Sequence, residues 1–269
     1  MNAEEFLKDG RLSAAVGQAT EQVKANPSDL RSRTLLFELL CFSGDLDRAS
    51  KQLDVLGSPN TDAEVAVQRY RNVLHGERLR GRLFGEGVRP GLPQQIPPYT
   101  ELHLQAVDRL RENKAGEARA LLEQAEQARP ALSGQIDGEP FEDLKDADDL
   151  IGPFLEAITH TNYCWIPWEA IQSVTIAPPA RLRDLLWIPA KIELHIGPLG
   201  EAFLPVLYYG SHQHPDDQVK LGRMTEWRRD VEELTLGLGQ RLLVAGEQAR
   251  ALLEVRNITF DHANGPDSQ

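Results

Sequence analysis

The amino-terminal part of the chain repeats one short pattern, first as Gly10-Arg11-Leu12-Ser13-Ala14-Ala15 and then as Gly44-Asp45-Leu46-Asp47-Arg48-Ala49. The spacing of 34 residues is the period of tetratricopeptide repeats, in which each unit is a pair of antiparallel helices. Glycine permits the tight turn within a pair, and the small alanine lets the second helix pack closely on the first. A third copy places asparagine at the turn, in Asn113-Lys114-Ala115-Gly116-Glu117-Ala118. The pattern predicts a domain of helical repeats.

The segments around these copies extend the helical domain. Residues 30–42 are expected to form the inner helix of the second pair, and residues 61–82, with apolar side chains three and four apart, a longer helix. Residues 85–98 contain so many glycines and prolines that we expect a loop, placed inside the helical domain because helices resume after it. The helical domain is therefore predicted to span residues 1–135.

An acidic stretch at residues 130–149 is expected to be a solvated junction, in which Asp146, Asp148 and Asp149 are dispensable for folding. Beyond it, in a second domain at 150–269, short runs rich in β-branched and aromatic residues predict strands, with Pro198-Leu199-Gly200 as a hairpin turn. Only short helices are expected there, at 168–173 and 181–187. The strands are predicted at 154–159, 163–166, 174–176, 191–196, 202–209, 241–244 and 252–260. The fold class is thus multidomain α+β, a tetratricopeptide-like domain followed by an α+β domain with mostly antiparallel strands.

The composition is typical of a globular protein. The 269 residues are 41% hydrophobic and 26% charged, with a net charge of -12. Splitting the chain at Pro130 gives 18 basic and 19 acidic residues before it and 11 and 22 after it, so the negative charge is concentrated in the second part. Such a surface repels phosphate, which excludes nucleic acid and anionic membranes as expected partners. Two cysteines and an acidic amino terminus favour a cytoplasmic location.

Four phrases of the second part resemble the ImpE family, also called TagJ or SciE-type, of bacterial type VI secretion. They lie at residues 182–190, 203–211, 221–227 and 237–241, and in single letters they read LRDLLWIPA, FLPVLYYGS, LGRMTEW and GLGQR. The resemblance covers nearly the whole chain, because the family also begins with a tetratricopeptide-like region. The resemblance implies a non-enzymatic adaptor without a cofactor. Such an adaptor binds the amino-terminal helix of the small subunit of the contractile sheath. Through this subunit it is linked to the ClpV-type ATPase that disassembles the sheath.

Two surfaces are candidates for binding a partner. Stacked helical pairs form a concave groove that suits an amphipathic helix or an extended peptide. The repeat register turns four residues toward it: Arg31, Thr34, Glu38 and Cys41. The alternative is that the charged ones form only a solvated helix face. A second docking surface is suggested by aromatic and arginine anchors, namely Trp187, Arg223 and Trp227. The alternative is that these residues serve packing and turns.

An enzymatic alternative rests on His212, His214 and Asp216, which have the side chains of a metal-dependent hydrolase, with His195 as a further ligand. The sequence lacks a third ligand at the spacing of a known motif, so we expect no metal. Phosphate-binding, dinucleotide-binding and serine-nucleophile motifs are absent from the sequence. A third hypothesis is a purely structural scaffold whose groove is filled by its own chain.

Overall fold

The computed structural model describes residues 1–57, 61–160, 162–228, 231 and 234–261. Over these residues the first half of the chain is helical, and the predicted inner helix 30–42 is observed to the residue. The predicted helix 61–82 continues to Glu86, so the loop begins at Gly87. None of the described helices is long and apolar enough to cross a membrane. The helices of this part, called the helical half below, are α1 (Ala3–Lys8), α2 (Leu12–Ala25), α3 (Leu30–Phe42), α4 (Leu46–Leu56), α5 (Thr61–Glu86), α6 (Tyr99–Arg111) and α7 (Ala115–Ala128).

The three copies of the repeated pattern adopt the same turn. Gly10, Gly44 and Asn113 have φ angles of 72°, 75° and 57°, and they lie between α1 and α2, α3 and α4, and α6 and α7. The alanines of the pattern have no exposed surface, as expected for helices in close contact: Ala15, Ala49 and Ala118. The glycine or asparagine at each turn therefore provides the left-handed backbone that the turn requires.

The second part, called the sheet half below, is built around a mostly antiparallel sheet, which confirms the predicted fold class. Its strands are β1 (Gly134–Ile136), β2 (Glu139–Phe141), β3 (Leu144–Asp146), β4 (Phe154–Thr159), β5 (Asn162–Pro167), β6 (Ile171–Ile176), β7 (Trp187–Leu194), β8 (Gly197–Pro205), β9 (Thr225–Trp227), β10 (Gly237–Gly239), β11 (Leu242–Ala245), β12 (Gln248–Ala251) and β13 (Asn257–Phe260). The main sheet has the order β2-β1-β13-β6-β7-β8-β4-β5, and β12-β11-β3 and β10-β9 form smaller sheets. A four-residue helix, α8 (Asp217–Lys220), follows β8.

Several local predictions in the sheet half are wrong. The strand predicted at 252–260 begins only at Asn257, because Leu252–Glu254 form a 3-10 turn. The chain between β7 and β8 turns at His195 and Ile196, and residues 198–200 lie within β8. Gly197, with φ of 129°, provides the left-handed backbone directly after this turn, so the reversal comes earlier than the Pro-Leu-Gly sequence suggested. The predicted helices at 168–173 and 181–187 are each a single 3-10 turn, Trp168–Ala170 and Leu182–Leu185, followed by a strand.

The acidic stretch is not a solvated junction. It contains β1 to β3, and β1 pairs with β13 at the far end of the chain. Asp146 is only 2% exposed and accepts a hydrogen bond from the Tyr208 hydroxyl at 2.9 Å. Asp148 is 8% exposed, and its carboxylate accepts the backbone N–H groups of Leu150 at 2.9 Å and Gly237 at 2.7 Å. These carboxylates therefore hold the sheet half together, and only Asp149 of the three is exposed.

Helix α5 joins the two halves by packing on the main sheet. At Gly76 the helix backbone approaches β4 so closely that an added Cβ would lie 2.5 Å from Cγ2 of Ile158. The loop after α5 covers the outer edge of β5. There the N–H of Gly91 donates to the carbonyl of Tyr163 at 2.8 Å, and the carbonyl of Gly91 accepts the N–H of Trp165 at 3.0 Å. The edge strand that would otherwise be open to pairing is thereby occupied.

Substitution of Gly44 should destabilise the fold. Alanine in the left-handed region is strained, and its Cβ would lie 2.3 Å from Cδ2 of His212. We expect Gly44→Ala to lower the free energy of unfolding by about 1–3 kcal/mol in urea titrations. Gly17→Ala is the matched control, since Gly17 lies within α2 with open space around its Cα. The control should be neutral or raise stability by up to about 1 kcal/mol, and equal effects of both changes would contradict the assignment.

The stability should also depend on pH through Asp148, because burial raises the pKa of this carboxyl to about 7. A raised pKa stabilises the folded state below the ordinary aspartate pKa, and this contribution is lost as the pH rises to about 7. We therefore compare the free energies of unfolding of the wild type and Asp148→Asn. The value for the wild type minus that for the variant should fall by on the order of 2 kcal/mol between pH 5 and pH 8. Asp47→Asn, at an exposed position, is the control. A difference that does not change with pH would contradict this prediction.

Candidate functional site

A cleft of about 200 Å³ lies between α3, α4 and α5 on one side and residues 186–187 and 207–212 of the sheet half on the other. We call it the central cleft. Both halves of the chain supply its walls, so it exists only because α5 packs on the sheet. Most of its lining is apolar or aromatic: Phe42, Leu46, Leu186, Trp187, Leu207 and Tyr209. A mainly apolar concave surface with a few polar groups is typical of binding sites for ligands and helical peptides.

Glu77 is the acidic group of the central cleft, and it lies on α5 facing Trp187. The indole Nε1 of Trp187 donates to Oε2 of Glu77 at 3.0 Å, and Nη1 of Arg80 lies 3.3 Å from Oε1. The Glu77 side chain is 18% exposed. The carboxylate therefore links the two walls of the cleft while remaining accessible from it.

Behind the cleft is a buried ionic network around Glu156 of β4, which has no exposed surface. Arg80 donates to both of its oxygens, Nε to Oε1 at 2.8 Å and Nη2 to Oε2 at 3.1 Å, and also to the carbonyl of Leu207 at 2.9 Å. Arg241 and the Tyr163 hydroxyl also contact this carboxylate. Burial lowers the pKa of Arg241 to about 10, which still leaves the guanidinium charged at neutral pH. The network fixes the position of α5 against the sheet.

The two reactive side chains of the central cleft are held in their neutral forms. Burial raises the pKa of the Cys41 thiol well above its ordinary value, so the thiolate is not formed at neutral pH. Burial also lowers the pKa of His212, whose ring packs against Gly44 and contacts Tyr209 edge to face at 6.5 Å. A protonated thiol is a poor nucleophile, so Cys41 is suited to packing and hydrogen bonding.

The four predicted groove residues do not form one open surface. Arg31 is exposed and pairs with Glu4 at 2.8 Å, and Thr34 donates its hydroxyl to the carbonyl of Leu30 in its own helix at 2.8 Å. Glu38 is buried, and Oε1 accepts from Nη1 of Arg183 in the sheet half at 2.7 Å. Cys41 is buried at the wall of the central cleft. The expectation that Glu38 and Cys41 face an open groove is wrong, because the sheet half covers this part of α3.

The three residues of the predicted second docking surface are also separate. Trp187 is buried in the central cleft. Arg223 donates to the last carbonyl groups of α1, those of Leu7 at 2.7 Å and Lys8 at 3.1 Å, and so binds the first helix to the sheet half. Trp227 is 38% exposed and packs against the ring of Tyr208. The structure thus brings Trp187 together with Cys41, and places Arg223 and Trp227 elsewhere.

The candidate metal ligands have different neighbours. His214 faces Glu226 at 3.4 Å and accepts the backbone N–H of Asp216 at 3.1 Å, whereas His212 faces Gly44. The side chain of Asp216 caps α8 by accepting the N–H of Gln218 at 2.8 Å. His195 lies in the turn between β7 and β8. Within the residues that the structure describes, no group of three or more histidine, cysteine, aspartate or glutamate side chains could hold a metal ion.

Sequence reasoning missed several residues of the central cleft. Glu77, Arg80 and Gly81 belong to the long helix, whose apolar periodicity was noted but whose partner surface was unknown. Tyr209 stands inside one of the four family phrases and stacks on Phe84 at 4.7 Å between ring centres. That phrase is the signal that pointed to it.

Comparisons with known proteins agree with the resemblance in the sequence. The ImpE protein family matches residues 138–259. The chain is 38% identical to the type VI secretion system accessory component TagJ of Pseudomonas aeruginosa, over 97% of this chain and 92% of that protein. A crystal structure of protein VPA1032 from Vibrio parahaemolyticus has a TM-score of 0.87 at 25% identity and covers 96% of this chain and 97% of that one. The chain therefore belongs to the ImpE/TagJ family of type VI secretion accessory proteins.

Proposed function

We propose that the protein is a cytoplasmic, non-enzymatic adaptor of type VI secretion that binds the amino-terminal helix of the sheath small subunit. The observation that carries the proposal is the central cleft, in a chain 38% identical to a type VI accessory component. Its apolar walls fit the apolar face of an amphipathic helix, and Glu77, which stays 18% exposed beside its bonds to Trp187 and Arg80, can accept a further bond from a polar or basic side chain at the edge of that face. Through the bound sheath subunit, the protein would be linked to the ClpV-type ATPase.

The non-enzymatic role is supported by the state of the reactive groups in the cleft. Cys41 is protonated, Glu77 already accepts bonds from Trp187 and Arg80, and His212 is packed against Gly44. The hydroxyl of Ser211 donates to the carbonyl of Tyr208 at 2.6 Å and accepts the N–H of Gly239 at 2.8 Å. Each group is thus used to stabilise the walls of the cleft.

A purely structural scaffold is the second candidate. The contact between Glu38 and Arg183 favours it, because it covers part of the concave face of α3 with the chain's own residues. A scaffold would need no accessible cleft, so the two functions differ in how they respond to a change that fills the cleft without disturbing the fold.

Filling the central cleft should weaken helix binding. Gly81 lines the cleft, and a Cβ added to it would lie 3.8 Å from Tyr209, which is ordinary van der Waals contact. We therefore expect Gly81→Phe to fold and to occupy the cleft with its ring. In calorimetric titrations of the full-length protein with a peptide of the sheath subunit's amino-terminal helix, the affinity should fall about tenfold or more.

The matched control is Gly85→Phe, one helical turn further along α5, where nothing lies within 4 Å of an added Cβ. This variant should bind the peptide as tightly as the wild type. Equal affinities of the two variants and the wild type would rule out the central cleft as the binding site, and absence of binding by all three would favour the scaffold.

A further inference from the structure

The connection between β6 and β7 reaches out from the sheet and lies on α3. It comprises residues 178–185, which we call the flap, and it contains the 3-10 turn Leu182–Leu185. The carboxylate of Asp184 accepts the backbone N–H groups of Ala180 at 2.9 Å and Arg181 at 2.8 Å, so the flap is an ordered turn.

The flap contacts the helical half chiefly through Arg183. Nη1 donates to Oε1 of Glu38 at 2.7 Å, and the guanidinium stacks on the ring of Tyr70 at 4.7 Å from its centre. Leu182 and Leu185, one turn apart, are partly buried against the core on the same side. One short turn thus places an arginine on α3 and two leucines beside Phe42 at the end of that helix, a set of side chains that a helical ligand could also present.

This contact is incompletely packed. A pocket of about 290 Å³ lies beside the flap, lined by Leu182 and Leu185, by Phe42 at the end of α3 and by Leu7 of α1. The buried Nε of Arg183 has no hydrogen-bond partner, and burial raises the pKa of Glu38 despite the neighbouring guanidinium. A buried ion pair with an unsatisfied donor adds little net stability, so separating the flap from α3 is less costly than its buried position suggests.

Two apolar surfaces meet at the end of α3. Phe42 lines both the central cleft and the pocket beside Leu182 and Leu185. A helix of several turns seated in the central cleft would extend across α3 and meet the flap. The flap must move for the two pockets to form one continuous groove.

We propose that the flap closes the α3 surface in the free protein and is displaced when a partner helix docks there. The inference rests on the proposed function, since the displacing ligand is the same helix that enters the central cleft. The residues that the flap presents also specify the chemistry of that helix: two leucine-like side chains one turn apart and, between them, a basic side chain that takes the place of Arg183 beside Glu38.

Hydrogen exchange of the full-length protein tests the displacement directly. Asp184, which accepts the N–H groups of Ala180 and Arg181, is only 5% exposed in the docked flap, so displacement would let water compete for both hydrogen bonds. In the free protein these two amides should therefore exchange faster than those of β6 and β7, by local opening of the flap. The sheath-helix peptide should then speed their exchange further, roughly tenfold, whereas a ligand that binds beside a fixed flap would slow it. Flap amides that exchange only as slowly as the strands, or that the peptide protects, would overturn the proposal.

Two variants separate the flap from its docking surface. Arg183→Ala should speed flap exchange without peptide and raise peptide affinity roughly tenfold, because the competing side chain is removed. Glu38→Gln should also release the flap but give no gain in affinity, because the partner's basic side chain loses its carboxylate. Arg183→Lys, which keeps the charge and loses the planar stack on Tyr70, should be intermediate and replaces Arg183→Ala if that variant does not fold.

The matched control is Arg181→Ala, in the same flap with an exposed side chain, which should change neither quantity. If the wild type and Arg183→Ala bind the peptide equally well and their flap amides exchange at the same rate, the proposal that the flap is displaced is overturned. The proposed function stays intact in that case. If no variant binds the peptide, the proposed function fails, and exchange in the free protein alone still decides whether the flap opens.

Discussion

Two arginines from opposite halves of the chain share the carboxylate of Glu156. Arg80 comes from α5 and Arg241 from the strand region of the sheet half, and all three side chains are buried. Removing charges from water is costly, and the cost is recovered only when every partner is in place. A helix docked at another angle would leave buried charges without partners. The ionic network therefore selects one orientation of the helical half on the sheet, and the other features of the interface follow from it.

The central cleft and the flap are consequences of that orientation. Because α5 is held against β4, Glu77 meets Trp187 across the cleft, and α3 is brought under the flap so that Glu38 meets Arg183. Smaller contacts reinforce the same arrangement, with Arg223 bound to the end of α1 and Gln218 reaching the carbonyl of Gly10 at 3.4 Å. The cleft thus has firm walls, while the flap beside it is held by one imperfectly compensated ion pair, the stack of Arg183 on Tyr70 and two partly buried leucines.

The sequence allowed the parts that depend on neighbours along the chain to be predicted. The turns at Gly10, Gly44 and Asn113 follow from a requirement for left-handed backbone, and strand β4 has the predicted bounds, with five of its six residues buried. The acidic stretch was misjudged because the partners of Asp148 lie partly at Gly237, far along the chain.

The candidate site shows the same limit. Cys41 and Trp187 were selected by two unrelated arguments, repeat register and family phrases, and the structure brings both to the central cleft. Glu77 and Gly81 carried no signal of their own, since a helix pattern indicates which face is apolar but not what packs on it. The covering of Glu38 was missed for the same reason, because its partner Arg183 belongs to the other half.

The pairing of β1 with β13 has a consequence for the order in which the protein folds. Residues 134–136 find their partners only at residues 258–260, so the main sheet lacks an internal strand until β13 has been synthesised, more than a hundred residues after β1. The helical pairs of the first half, by contrast, are made of contacts close in sequence, which form quickly. We expect them to form while the ribosome is still translating the sheet half. The apolar face of α5 then stays exposed until β13 has been synthesised. During this interval a chaperone could bind that face.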